Sequence, residues 1–316
     1  MKSRRFQSIL WWTLLLIAWS ILRVQAGNAL VELIRENPSD GRPVIYTYFE
    51  RIDATNRTTG MSDEEDNDLL MFWKERWQEA GYVPIILTSN DANLSHLSMH
   101  SQNQSFTKER YESVRSKLDS LPLDDFGSIL FRRWLAMAVV GGGWYSDYDN
   151  FPLWGEELPK MPARLNLYDI LSPTLASGSA TDWLDTLEAL LEDASEHCSH
   201  ISKGRQELNC FYTDSLATNS LRANRHSLSP KTARKVAVPF DKNDPVSFDD
   251  PSLCSSKDFR SKYTIHFGPE ALQRGRHVPP NDRLPKYRVK LARDWLNRWK
   301  ELCGKSNDQL VEGHER

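Results

Sequence analysis

Two aspartates in a segment rich in glycine and aromatic residues are the side chains best suited to chemistry. Asp147 and Asp149 lie within residues 141–153, which read Gly-Gly-Gly-Trp-Tyr-Ser-Asp-Tyr-Asp-Asn-Phe-Pro-Leu. In an extended segment, side chains two residues apart project to the same face, so both carboxylates converge on one point. Mg²⁺ and Mn²⁺ prefer carboxylate oxygens and share their coordination shell with substrate phosphates and water. The spacing therefore predicts a Mn²⁺ or Mg²⁺ site at these two residues.

The same segment also has a purely structural interpretation. Gly141 to Gly143 can end a helix and form a turn, which leaves Asp147 and Asp149 solvated at the end of a strand. Glycine also lets a backbone approach a ligand closely, because it has no side chain. Asp-x-Asp spacing by itself favours the structural interpretation, and the surrounding residues change that balance.

The whole run, taken with the helix predicted before it, resembles the sugar-binding region of GT-A glycosyltransferases. The resemblance is to the initiating α-1,6-mannosyltransferases and their α-1,4-galactosyltransferase relatives, a group similar to glycosyltransferase family 32. Those enzymes have an arginine-containing helix followed by Gly-Gly-x-Tyr-x-Asp-x-Asp. Residues 142–149 match that pattern position by position, and Arg132 or Arg133 supplies the helix arginine. The resemblance is specific over roughly residues 125–153.

This resemblance implies a retaining hexosyltransferase that uses a UDP- or GDP-hexose donor and Mn²⁺ or Mg²⁺. The expected acceptor is a glycan, a glycoprotein or a glycolipid. Asp147 and Asp149 are the expected catalytic residues, at the ribose, the metal and the diphosphate. The residues expected to contact the nucleotide sugar are Arg132, Arg133, Gly142, Gly143, Tyr145 and Asp147.

A third metal ligand in many GT-A enzymes is a histidine near the C-terminus. His266 is the best candidate, because it ends a segment of alternating polarity and precedes Gly268 and Pro269. An isolated histidine also has a structural interpretation. Ser177 to Ser179, predicted as a small-residue turn before a helix, and Asp214 are weaker candidates for contact with the donor or acceptor, and helix capping is their simpler interpretation. Arg274 and Arg276 are candidates for contact with phosphate, and a solvated basic turn is their simpler interpretation.

Charge and the number of ligands exclude or disfavour other functions. The chain has 40 basic and 43 acidic side chains, a formal net charge of -3, so no electrostatic footprint for a nucleic acid is present. A metal-dependent hydrolase would need more ligands than this motif offers. The alternative that stays open is a non-catalytic lumenal protein of the same fold that binds a sugar nucleotide or a glycan.

The N-terminus predicts entry into the secretory pathway. Residues 1–26 combine Lys2, Arg4 and Arg5 with an apolar run that ends before Ala26. This is typical of a cleavable signal peptide or of a type II signal anchor. An uncleaved segment would attach the protein to the Golgi membrane with its bulk in the lumen, whereas cleavage after Ala26 would release a secreted protein.

Glycosylation sequons and cysteines agree with a lumenal compartment. Sequons begin at Asn56, Asn93 and Asn103. The four cysteines predict disulfides in an oxidising compartment, with three possible connectivities and Cys198–Cys210 as the local pairing. A zinc cluster is the competing interpretation of His197, Cys198, His200 and Cys210.

Hydrophobic periodicity predicts one α/β catalytic domain over residues 27–303, followed by a polar tail at 304–316. One βαβ unit consists of a strand at 42–49, a helix from Ser62 to Gly81 and a strand at 82–88. This unit favours an α/β sheet, and the resemblance to GT-A enzymes implies a GT-A-like, Rossmann-like mixed sheet with helices on both faces. Further helices are predicted at 107–118, 125–140, 182–194 and 287–303, strands at 165–171 and 263–267, and a long loop at 226–262.

Overall fold

The computed structural model describes most of the chain after residue 40. The described residues are 41–53, 60–93, 107–153, 158–170, 172–202, 210–224, 226–238, 254, 257–269 and 284–303. The N-terminal segment 1–26, the tail 304–316 and the asparagines Asn56 and Asn103 lie outside these residues. The architecture below is that of the compact unit over residues 43–316.

The main sheet has six strands and mixes parallel and antiparallel pairing. The strands of this sheet and of a second, smaller one are β1 (Val44–Tyr48), β2 (Val83–Leu87), β3 (Gly142–Ser146), β4 (Asn150–Pro152), β5 (Asn166–Leu167), β6 (Leu175–Ser179), β7 (Lys231–Thr232), β8 (Val236–Ala237) and β9 (Thr264–His266). The order of the main sheet is β2-β1-β3-β6-β5-β7; β1 is parallel to both β2 and β3, whereas β6 is antiparallel to β3 and β5. The second sheet has the order β4-β9-β8.

Helices cover both faces of the main sheet, and the alternation of side chains along its strands explains why. The helices are α1 (Asp63–Glu79), α2 (Lys108–Ser120), α3 (Asp125–Val139), α4 (Ala180–Ser202), α5 (Asp214–Ala223), α6 (Lys257–Arg260) and α7 (Arg288–Cys303). Ile45 and Trp144 pack into the core with α1 and α7, whereas Tyr48 and Tyr145 pack into the core with α2 to α5. The predicted mixed α/β class is therefore confirmed.

The β1-α1-β2 unit forms as its sequence predicts. The Ser62 hydroxyl accepts a hydrogen bond from the Glu65 backbone, and the Glu65 carboxylate accepts one from the Ser62 backbone, which is a complete capping box. Acidic residues fill the first turn of α1 and complement its dipole. Trp73 and Trp77 are buried on the face that packs against the sheet. The acidic run therefore forms the first turn of the helix, as predicted.

Helix α3 immediately precedes β3 in the chain. Its N-cap is Asp124, and its second half is buried without interruption from Arg133 to Val139. It ends at Val139 and is capped by Val140; the following Gly141 has a φ of 98°, in the left-handed region that favours glycine. The prediction that 125–140 is a core helix is confirmed, and β3 begins directly after it.

Several elements differ in extent or type from the prediction. The strand expected at 165–171 is only the two residues of β5, while α4 begins earlier and extends to Ser202. Ser177 to Ser179, predicted as a turn, belong to β6 because they pair with the start of β3. The predicted loop at 226–262 contains β7, β8 and α6 among its described residues.

Two disulfides tie the fold together. Cys198 pairs with Cys210, as the local prediction had it, and Cys254 pairs with Cys303. Because both sulfurs of the first pair are bonded to each other, neither offers the thiolate that a zinc cluster would need. Within the described part of the chain, no helix is both long and apolar enough to cross a membrane.

Candidate active site

The two predicted aspartates lie in a tight turn between β3 and β4. The Asn150 backbone donates to the Asp147 carbonyl at 3.0 Å, and the Asp147 backbone donates to the Thr174 carbonyl at 2.8 Å. The segment is therefore a turn and not the extended strand that the period-two argument assumed. The two carboxylates still converge, because the turn folds Asp149 back toward Asp147.

Two tryptophans of α1 donate hydrogen bonds to the residues on either side of this turn. The Trp73 indole donates to the Ser146 hydroxyl at 3.4 Å, and the Trp77 indole donates to the Asn150 carbonyl at 3.2 Å. Both indoles are buried, where an unpaired N–H would be costly. The helix of the βαβ unit thus fixes the backbone that carries the aspartates.

His266 lies beside the two aspartates, as the sequence predicted. The pairing of β4 with β9 places His266 opposite Asn150, next to the turn. Asp147, Asp149 and His266 each offer one potential ligand atom, and these three atoms lie within 4.8 Å of one another. The His266 Nε2 is 3.2 Å from the Asp149 Oδ1. This is the one group of three such potential metal ligands in the part of the chain that the structure describes.

Of the two candidate helix arginines, only Arg133 reaches the aspartates. Its Nη1 donates to the Asp147 Oδ1 at 2.7 Å, and the Tyr145 hydroxyl donates to the same oxygen at 2.6 Å. Arg132 is 37% exposed and pairs instead with Glu50 at 3.2 Å. A helix turns about 100° per residue, so neighbouring arginines cannot face the same way.

Asp214 is part of the same network. It is fully buried and accepts from Arg133 and from the Trp134 indole, which lies 2.7 Å from its Oδ2. The capping interpretation of Asp214 is wrong, since Thr213 is the N-cap of α5. Asp214 does not face the cavity described below; it holds Arg133 in place.

Arg288 is the site residue that the sequence analysis missed. It is 1% exposed, and its Nη2 bonds to the Asp149 Oδ2. Its partner is 139 positions away, so no local pattern points to it. The sequence holds one indication of its role: Arg288 is the first residue of a helix, where a positive charge is unfavourable because it opposes the helix dipole. An arginine at such a position is expected to have a compensating negative partner.

Burial and neighbouring charges shift the pKa values of the three predicted metal ligands in different directions. Burial raises the pKa of Asp147, and the nearby Arg133 only partly offsets it. Burial also opposes ionisation of Asp149, but His266 and Arg288 outweigh it and hold its pKa below the usual range. Burial opposes protonation of His266, yet the Asp149 carboxylate outweighs this and raises its pKa. Asp149 is thus the more firmly ionised carboxylate.

A cavity of about 290 Å³ opens above these residues. It lies where the chain leaves β1 and β3, at the carboxyl ends of two parallel strands, which is where open α/β sheets bind ligands. One wall is apolar and formed by Phe126, Ile129 and Leu130 of α3. The ionisable lining residues are Tyr48, Glu50, Arg51, Asp66, Arg133, Tyr145, Asp147, Tyr148, Asp149, His266 and Arg288.

The two predicted donor-binding glycines do not line this cavity; they face other strands. A Cβ on Gly142 would lie 2.5 Å from the Gly178 carbonyl oxygen, and one on Gly143 would lie 3.2 Å from the Tyr46 ring. Both glycines have positive φ. They permit close approach of strands within the sheet, rather than the approach to a ligand that was expected.

The weaker candidates have other roles or lie outside the described residues. The Ser177 hydroxyl pairs with the Tyr168 hydroxyl at 3.2 Å, and the Ser179 hydroxyl accepts from the Asp182 backbone at the start of α4. Neither serine lines the cavity. Arg274 and Arg276 are not among the described residues.

The donor set fits a hard divalent cation. Asp149 Oδ1 is buried and accepts no well-directed hydrogen bond, so it has lone pairs available for an ion. Two carboxylates and an imidazole are ligands that Mn²⁺ accepts, and Mg²⁺ favours the carboxylates. Asp147, Asp149 and His266 are therefore the residues that would hold such an ion.

Comparison with known proteins gives one family match. A family described as a domain of unknown function (DUF8765) matches residues 36–165, which is less than half of the chain. The match includes β1 to β4, Arg133 and both aspartates, and it ends before His266 and Arg288. No curated protein matches the chain.

Proposed function

We propose that this protein is a lumenal, metal-dependent glycosyltransferase. It transfers a hexose from a UDP- or GDP-hexose to a hydroxyl group of a glycan, a glycoprotein or a glycolipid. The observation that carries the proposal is the convergence of Asp147, Asp149 and His266 at the base of a cavity at the carboxyl ends of β1 and β3. A GT-A-like fold and retention of anomeric configuration belong to the same proposal and rest on the resemblance of residues 125–153.

The net charge of the network supports a need for a cation. Arg133 is paired with Asp147 and Asp214, and Arg288 is paired with Asp149. Three carboxylates and two guanidinium groups leave one net negative charge when His266 acts as a metal ligand, because an imidazole ligand is neutral. A diphosphate would be repelled by such a site. A bound Mn²⁺ or Mg²⁺ supplies positive charge that stabilises a diphosphate leaving group. The network members are Asp147, Asp149, Asp214, Arg133 and Arg288.

The protein's own residues bind and orient the reactants. Arg133 and Tyr145 both donate hydrogen bonds to Oδ1 of Asp147, so the carboxylate is oriented before any ligand binds. The apolar wall at Phe126, Ile129 and Leu130 excludes water from one side of the cavity. Catalysis then consists of positioning donor and acceptor in a preorganised polar site.

Lumenal residence is supported by the cysteine pairing. Two disulfides that use all four cysteines fit an oxidising compartment and would be unusual in the cytosol. Attachment to the Golgi membrane through residues 1–26 is part of the proposal, and secretion after cleavage following Ala26 is its alternative.

The test is calorimetric titration of the full-length protein with UDP and with GDP, in Mn²⁺ and in EDTA. We expect one nucleotide to bind in Mn²⁺ only. Asp147→Asn and Asp149→Asn should each weaken binding more than about tenfold, since even loss of a metal ligand's outer partner costs that much. Asp119→Asn is the matched control, because that carboxylate is 55% exposed on α2. Absence of nucleotide binding by folded protein would refute the proposal.

Binding without transfer is the second candidate function. It is favoured by one observation: each aspartate is already bonded to a buried guanidinium, an arrangement that can stabilise a fold without turnover. Incubation with the donor that binds separates the two candidates. Release or transfer of the hexose, abolished by Asp149→Asn, supports the enzyme, whereas nucleotide binding without any product supports the binding protein.

A further inference from the structure

Arg288 contacts three separate parts of the chain through three different nitrogens. Its Nε donates to the Phe267 carbonyl at 2.7 Å, its Nη2 bonds to Asp149 Oδ2, and its Nη1 lies 3.5 Å from the Met61 sulfur. The guanidinium is planar and its donors form a rigid fork. Movement of one contact therefore disturbs the others.

The contact with Asp149 determines where the other oxygen of that carboxylate points. Oδ2 is bonded to Arg288, while Oδ1 is buried and lies 3.2 Å from His266 Nε2. A carboxylate with one oxygen fixed cannot rotate freely about its last bond. Oδ1 is thereby kept on the side of the cluster that faces His266.

The contact with Phe267 fixes the residue next to His266. The Phe267 backbone N–H donates to the Asp149 carbonyl at 2.8 Å, while its own carbonyl accepts from Arg288. Asp149, Phe267 and Arg288 therefore form a closed ring of hydrogen bonds. Asp149, one of the three candidate ligands, belongs to this ring, and His266 is the chain neighbour of Phe267.

We propose that Arg288 is a positioning residue for cation binding, which sets the distance between Asp149 Oδ1 and His266 Nε2. The proposal rests on the metal dependence in the proposed function. A competing role makes the opposite prediction: a guanidinium that merely neutralises Asp149 would compete with the ion, and its removal would tighten ion binding.

The experiment measures Mn²⁺ affinity of the full-length protein by the electron paramagnetic resonance signal of free Mn²⁺. Arg288→Met should weaken binding about 10- to 100-fold, as loss of a partner that orients a metal ligand typically does. Arg288→Lys keeps the charge but cannot bond Asp149 and Phe267 with a rigid fork, so we expect about a tenfold loss. Arg293→Met should leave the affinity unchanged, because Arg293 lies on the same helix, is 43% exposed and faces Glu75.

Each other outcome has a defined meaning. Equal or tighter Mn²⁺ binding by Arg288→Met would overturn the positioning role, and so would Arg288→Lys with the affinity of the unaltered protein, because charge alone would then suffice. If Arg288→Met does not fold, as judged by circular dichroism, Arg288→Lys decides the question by itself. If the unaltered protein binds no Mn²⁺, the metal dependence of the proposed function fails and this inference fails with it.

Discussion

Arg133 donates to one oxygen of Asp214 from both Nε and Nη2, at 2.8 and 2.5 Å, although the two residues are 81 positions apart in the sequence. The third nitrogen of the same guanidinium reaches Asp147. Arg133 therefore links the start of α5 to the turn after β3. The position of Asp147 depends on a residue that never touches the cavity.

Replacement of Asp214 tests this link. Asp214→Asn keeps the shape of the side chain but leaves Arg133 without its fully buried partner. We expect a loss of about 3–5 kcal/mol in the free energy of unfolding, which is typical when one member of a buried ion pair is removed. Urea denaturation measures it, with Asp119→Asn as the exposed control, expected to cost less than about 1 kcal/mol. A loss as small as that of the control would show that Asp147 alone satisfies Arg133.

The glycines before β3 provide a matched pair for a second prediction. Gly141 and Gly142 both have positive φ, but a Cβ on Gly141 meets nothing within 4 Å, whereas one on Gly142 meets backbone atoms of β6 and α4 at 2.5 and 2.6 Å. Each alanine substitution pays about 1–2 kcal/mol for the left-handed conformation. Gly142→Ala should cost roughly 1–3 kcal/mol more, from overpacking. Equal unfolding free energies for the two variants would contradict the strand contact.

Metal addition should stabilise the folded protein through the cluster. At a Mn²⁺ concentration one hundred times its Kd, the free energy of unfolding should rise by about 2.7 kcal/mol, because only the folded state holds the ligands together. EDTA should reverse the effect, and Asp149→Asn should remove it. Differential scanning calorimetry with and without Mn²⁺ measures the change. Stabilisation that persists in Asp149→Asn would place the ion elsewhere.

Tyr48 predicts a dependence of stability on alkaline pH. Burial and the nearby Glu50 carboxylate raise the pKa of its phenol well above the ordinary value of about 10. Because the folded pKa is the higher one, the contribution of Tyr48 is complete below pH 10 and is lost as the pH rises toward the folded pKa. The unaltered protein should therefore lose stability relative to Tyr48→Phe by about 1.4 kcal/mol per pH unit above pH 10. Guanidinium denaturation from pH 7 to 11 measures this, and a constant difference would contradict it.

Local patterns predicted those parts of the fold that are stabilised locally. The capping box at Ser62, the apolar face of α1 and the glycine that follows α3 are each encoded within a few residues, and each forms as expected. The sequence failed where a distant partner decides the structure. Ser177 to Ser179 look like a turn by composition, but they become a strand because β3 offers a pairing edge and Gly142 leaves room for close contact.

The candidate site shows the same division. Asp147, Asp149 and His266 were found from spacing and from a family resemblance, and the structure brings them together. The choice between Arg132 and Arg133 needed the rotation of α3, which the sequence does not fix to within one residue. Arg288 could not be predicted from the sequence, because its role depends on a contact with Asp149, which lies in the distant turn after β3.

The ring formed by Asp149, Phe267 and Arg288 also has a consequence for biosynthesis. Because a chain leaves the ribosome from its N-terminal end, β1, α1 and both aspartates emerge well before His266 and Arg288. A nascent chain can therefore pair its parallel strands while its acidic turn still lacks the imidazole and the guanidinium. Until His266 and Arg288 have been translated, Asp149 lacks both of its charged partners, so the proposed ion site can be completed only late in synthesis.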